Sequence, residues 1–304
     1  MKLFSKPKTF WQEAVALNGS ASPYVLQRVL ICGAFALLVL IFDYANDHKP
    51  EIEIGVAPYE AAGAALGLLL VLRTNAGNER WWEARKLWGG IVNRCRHLAV
   101  IVQAYGPEDV EWRRGVLLRV AAFPHVARIS LRCETELSEV ESLLGNEEAS
   151  RIGGSRNRPL SAATAIGELL GTGCTTHGMD RFTFVQADRD LTALLDYFGG
   201  CERIRKTPLP RAYAILIRRF IVAFLGTLPF ALLPRIGLLT PLATMLIAYP
   251  ILTLDKIGDD LQDPFSRANL DNLPLDAICR SIEEDLLDLI QKMKPGLVPL
   301  KNKT

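Results

Sequence analysis

Four apolar segments constrain this chain more than any other feature. They cover residues 25–45, 54–72, 212–234 and 236–254. Each approaches the roughly 20 residues that a helix needs to cross a hydrocarbon core. None is a clean run of Leu, Ile and Val: Glu60, Arg218, Arg219 and several prolines interrupt them, and Arg28 lies near the start of the first, where it can snorkel to the headgroups. One such segment would pass for a buried core helix. Four, separated by polar stretches, point to a bundle whose imperfect helices face each other or a pore. Composition agrees with a membrane part joined to a large polar part, since apolar residues make up 49% of the 304 and charged residues 22%.

Loop charge gives an orientation. The connection "NDHKPEIE" (46–53) is net acidic, whereas the region 73–211 is rich in arginine and both termini carry lysines. The positive-inside rule places both termini and the long middle region in the cytoplasm, with a multi-pass protein in the inner (plasma) membrane. No apolar stretch follows Lys2, Lys6 and Lys8 closely enough to read as a signal peptide. The chain divides into an N-terminal cytosolic segment (1–24), two membrane helices (25–72), a cytosolic helical domain (73–211), two more membrane helices (212–254) and a C-terminal cytosolic segment (255–304). The fold class is all-α. "RWWEARKLWGGIVNRCRHLAVIVQAYG" and "EDVEWRRGVLLRVAAFPHVARISL" repeat apolar residues at helical spacing. Pro124 marks a kink or break, and "GNEEASRIGGSRNRPLS" (145–161) reads as the most loop-like stretch.

Several function classes are excluded. A net charge of +2 sets up no field to collect phosphates, so no nucleic-acid partner is expected. Six dispersed cysteines form no C-x-x-C pair and four histidines are equally scattered, so neither a disulfide framework nor a zinc site is signalled. Cys174 and His177 offer two ligands at most, and no metal or cofactor is expected. With no Walker motif, G-x-S-x-G elbow or H-E-x-x-H present, no enzyme is expected and no catalytic residue is assigned. A membrane enzyme using His125 or Cys174 is the remotest class.

The stretch "RTNAGNERWWEARKLWGG" (73–90) leaves an apolar segment and stays helical while turning charged and tryptophan-rich. It closely resembles the signature of the bestrophin family, in its bacterial branch, through Arg80, Trp81, Trp82 and Glu83. "GGCERIRKTPLPRAY" (199–213) and "LQDPFSRANLDNLPLD" (261–276) resemble two further family blocks, in the right order. The resemblance implies a homopentamer around a central pore, with four transmembrane helices per subunit and a large cytosolic helical part. It implies a passive channel for monovalent ions, whose second helix lines the pore and runs on into the cytoplasm.

On that helix, counting back in fours from Arg80 reaches Leu72, Leu68, Ala64 and Glu60, which share a face. The resemblance places the hydrophobic neck at Ala64, Leu68 and Leu72, about 12 Å long at 1.5 Å per residue. Ala64 stands where a bulkier residue is expected, so the outer neck is read as wide. Glu60 either forms an acidic ring in the outer vestibule, or pairs with Arg28 or another basic group, or meets lipid headgroups. Trp81, Trp82 and Trp88 form an interfacial belt or pack between helices; both are structural readings. The resemblance puts a second, cytosolic constriction around Val185, with Phe182 and Gln186 beside it. Calcium activation is not expected: no acidic run follows Asp263-Pro264-Phe265, and Asp259, Asp260 and Asp263 read as capping or solvating a helix. Ion sign stays open between chloride-type anions, favoured by arginine-rich surfaces, and sodium- or potassium-type cations, favoured by Glu60. The competing reading is a membrane-bound scaffold or sensor with a partner-binding cytosolic domain.

Overall fold

The structure is a computed structural model, and it describes residues 9–16, 19–46 and 57–293. The connection 46–53 used for orientation therefore lies, past Asn46, outside the described residues, as do the first three residues of the second apolar segment. Among the described residues every regular element is helical. The described residues form two compact units: one holds those up to Trp81 with Pro208–Pro264 and Ala268–Asn272, and the other holds the rest of them.

After the short helix α1 (Phe10–Ala14), the first unit is built on α2 (Ser22–Ala45), the first part of α3 (Ala57–Tyr105), α9 (Arg211–Ile236) and α10 (Thr240–Asp260). Val25 and Val29 of α2, Leu66 and Leu70 of α3, Ile221 and Phe224 of α9, and Ala248 and Leu252 of α10 make one apolar core. Gly33 is there because α10 comes close: a Cβ on it would lie 2.5 Å from the Met245 sulfur. Two stretches, Ser22–Ala45 and Arg211–Asp260, are long and apolar enough to cross a membrane, and the second contains both α9 and α10. The turn between those two helices comes later than the segment boundary at 234–236 predicts. Pro234 lies inside α9, which ends at Gly237 with φ of 49°, and a short 3-10 turn (Gly237–Leu239) leads into α10. Proline costs a helix one hydrogen bond, but only a left-handed residue reverses the chain here.

The second unit gathers the later part of α3 around α4 (Val110–Arg132), with α5 (Ser138–Leu144), α6 (Asn146–Gly153), α7 (Arg158–Thr175), α8 (Arg181–Lys206) and α11 (Leu275–Lys292). α4 is its centre, with every residue from Val120 to Ile129 buried. Asp109 starts it by accepting from the Glu111 and Trp112 amides, and Cys133 ends it in a left-handed cap at φ 55°. Pro124 does not break it: tertiary burial on all sides outweighs the lost backbone bond. The stretch 145–161 is likewise more ordered than its composition predicts. Ala149 and Ile152 are buried on one face of α6, and Asn157 caps α7 by accepting from the Leu160 amide.

α3 is one unbroken helix of 49 residues, about 74 Å at 1.5 Å per residue. It contains no proline beyond its first turn, and its glycines serve close contacts: a Cβ on Gly77 would meet Leu261 at 2.9 Å, and one on Gly90 would meet the Tyr197 ring at 2.6 Å.

Candidate functional site

The first part of α3 has two distinct faces. Leu66, Leu70, Arg73 and Gly77, spaced by four, three and four, are buried. Glu60, Ala64, Leu68 and Leu72 fall on the opposite side and are exposed, Leu68 at 61% and Leu72 at 51%. The exposed face is thus a stripe of small and branched apolar side chains with one carboxylate a turn before it.

Arg73 fixes which face turns inward. Its side chain is buried, its Nη1 donates to Oδ1 of Asp255, and its Nη2 donates to Oδ1 of Asp259 at 3.0 Å. Arg218 of α9 shares both carboxylates, reaching Asp259 at 3.0 Å and Asp255 at 3.6 Å. Two arginines from different helices therefore clamp one edge of α10. Turning α3 by one residue, about 100°, would pull a guanidinium out of this site and bury Leu72 in its place. Asp259 therefore does not cap a helix, and Asp260 is buried against Lys256 rather than solvating one. Sequence reasoning missed this clamp. Its one visible signal is a charged residue directly after an apolar run (Arg73) and another inside one (Arg218).

The signature residues are anchors. Arg80 Nη2 reaches the Gln262 carbonyl at 3.5 Å, and the Trp81 indole N–H donates to the Asp271 carbonyl at 2.7 Å. The first signature block thereby holds down the third. Glu83 accepts from Arg203 at 2.6 Å, which ties it to the second block. Trp88 is fully buried and Trp82 is exposed. Val185 lies in the first turns of α8, exposed beside exposed Phe182 and Gln186. Asp180 caps that helix by accepting from the Phe182 and Thr183 amides. One turn beyond Val185, buried Asp190 accepts from Arg94 at 2.6 Å.

A second ionic array, also missed from sequence, joins α4 to α11. Arg128 and Arg132 both donate to Asp276 at 2.8 Å, and Arg267 adds a third bond at 3.0 Å. Burial works to raise the Asp276 pKa, but the Arg132 and Arg267 hydrogen bonds and the Arg128 charge outweigh it and hold it at about 2. His125 is buried beside this array. Its Nε2 lies 2.9 Å from Oε2 of Glu283, and Nδ1 has no hydrogen-bond partner. Burial lowers its pKa, against the opposing pull of Glu283. Burial pushes Cys201 and Cys279 up to about 12, so these thiols stay protonated packing groups. His177 pairs with Asp109 at 3.0 Å.

Comparison with known proteins converges on one family. The family model described as "Bacterial/Fungal Bestrophin protein" matches residues 1–288. The chain belongs to the bestrophin family. It is 33% identical, over 93% of its length and 92% of the relative's, to a voltage-dependent anion channel-forming protein of Nostoc sp.. It is 32% identical, over 93% of both chains, to the voltage-dependent anion channel-forming protein YneE of Escherichia coli K12. The crystal structure of a bacterial bestrophin homologue from Klebsiella pneumoniae superposes with a TM-score of 0.82 at 28% identity, covering 89% of this chain and all of that one. The all-helical architecture is therefore that of bestrophin structures, and the protein belongs in a membrane.

Proposed function

We propose that this bestrophin is an ion channel subunit that assembles as a homopentamer, with α3 of each copy lining a central pore. The channel function itself follows from family membership; the geometry supports a reading of which face conducts. The observation that carries it is the exposed stripe Ala64, Leu68 and Leu72, held outward by the buried clamp on Arg73. Five such stripes around an axis make an apolar constriction, with Glu60 at its outer end. An apolar ring offers an ion nothing to replace its hydration, so conduction there is governed by wetting of the neck. Four membrane helices per subunit (α2, the first part of α3, α9 and α10) and cytoplasmic termini complete the reading, with Val185 at a second constriction. The passing ions are monovalent. The similarity to voltage-dependent anion channel-forming proteins favours anions, and an acidic ring at Glu60 would favour cations.

The test is a reversal potential. Purified protein is fused into a planar bilayer under a potassium chloride gradient, and the measurement is repeated with Glu60→Gln. Reversal near the chloride potential, unmoved in the variant, gives an anion channel with Glu60 off the pathway. Reversal near the potassium potential, shifted in the variant, puts the carboxylate in the pore. No current from either protein would overturn the channel reading in favour of a membrane-bound scaffold.

A further inference from the structure

The stretch 145–161 finds no use in the ion pathway, yet it walls a cavity of about 1050 Å³ in the second unit. The end of α4, the turn between α6 and α7, the start of α7 and the end of α8 border it, and it opens to solvent. Buried Ile129 and Phe198 contribute apolar surface. Four basic residues (Arg151, Arg156, Arg158 and Lys206) and two acidic ones (Glu134 and Glu202) line it, leaving an excess of +2.

Most of these charges are already engaged. Glu202 accepts from Lys206 at 2.6 Å, and Glu134 faces Arg267 at 3.3 Å. Arg158 is committed to backbone, donating to the Glu134 carbonyl at 2.8 Å and the Gly153 carbonyl at 3.3 Å. Two guanidiniums remain. Arg156 is exposed and makes no hydrogen bond or ion pair among the described residues. Arg151 has its nearest carboxylates, Glu148 and Glu168, at 3.7 and 3.9 Å, beyond hydrogen-bond distance. In the same lining the Ser130 hydroxyl is buried without a partner. The start of α7 supplies little by itself, because Asn157 already takes the Leu160 amide.

The carboxylates of this cavity are thus neutralised, while the Arg156 guanidinium is unpaired and Arg151 is held only by two long ion pairs with carboxylates outside the lining. We propose that the cavity binds a small polyanion carrying phosphate or carboxylate groups, held by Arg151 and Arg156. Guanidinium forks match both anion types in bidentate geometry, and the cavity has the size of a small-molecule site. Binding there involves no bond making or breaking.

Calorimetric titration of the full-length protein in detergent tests this, at constant ionic strength, with inorganic pyrophosphate in one arm and citrate in the other. Saturable binding of one ligand per chain is expected in at least one arm, and the responding arm identifies the anion class. Arg151→Ala with Arg156→Ala should weaken binding at least tenfold, while Arg156→Lys should retain most of it. Absence of saturable binding in both arms overturns the proposal, as does unchanged affinity in the double variant. If circular dichroism shows the double variant misfolded, the exposed single change Arg156→Ala decides by the same criterion.

Discussion

Replacing Arg73 with methionine tests the clamp that orients α3. The guanidinium is 1% exposed and its main partner, Asp255, is 5% exposed, so the change leaves a carboxylate in the protein interior without its closest counter-charge. Breaking such a buried pair costs about 3–5 kcal/mol. The second partner, Asp259, is 48% exposed, and its pair adds at most about 1 kcal/mol. Arg218 still lies 3.6 Å from Asp255 and offsets part of the loss, which brings the expectation to about 3 kcal/mol. At roughly 2 °C per kcal/mol for a chain of this size, the apparent melting temperature in detergent should fall by about 5 °C or more. The double variant Arg73→Met with Asp255→Leu removes the stranded charge together with its partner and should regain at least half of that drop. A single variant melting within about 1 °C of the parent would refute the reasoning. So would a double variant no more stable than the single one, because the cost would then not come from an uncompensated carboxylate.

Leu68→Ser places a hydroxyl on the exposed stripe and should raise macroscopic current several-fold in planar bilayers; unchanged current would move Leu68 off the pathway. Adjacent glycines in α3 should respond with opposite signs in a melting assay. Gly90→Ala meets the Tyr197 ring at 2.6 Å and should cost about 1–3 kcal/mol, whereas Gly89→Ala meets only the tip of Arg85 at 3.5 Å and should gain up to about 1 kcal/mol. Acid should loosen α11 in two stages. The lowered His125 pKa means that the unfolded chain takes up the proton first, so stability is lost as pH falls below about 6.5. Asp276, at about 2 instead of 3.8, adds stability that is full above the higher value and lost between the two. Hydrogen exchange of α11, corrected for intrinsic rates, should therefore speed up from pH 7 to pH 5 in the parent and less so in His125→Asn.

How far the sequence reaches depends on whether the information is local. Apolar runs of membrane length, helical periodicity and the "RWWE" block are properties of neighbouring residues. Helix formation and insertion respond to neighbours directly. The all-helical class, the continuous α3 and the family were accordingly legible. So was the shared face of Ala64, Leu68 and Leu72, which needs only 3.6 residues per turn. The rest required the fold. Arg73 and its partners stand 182 and 186 positions apart, and no pattern in either segment names the other. Asp259 reads as a helix-end carboxylate until α3 and α9 bring arginines to it. Pro124 and the stretch 145–161 follow local propensity toward a break and a loop, and burial of α4 and α6 overrides both. The cavity on Arg151 and Arg156 is the clearest case, because an arginine's freedom to bind a ligand depends on which carboxylates tertiary packing has already given to others. Local sequence sets which helices form and which side of each is apolar; charge pairing across distant segments, a property of three-dimensional packing alone, decides how they are turned and what remains free to bind.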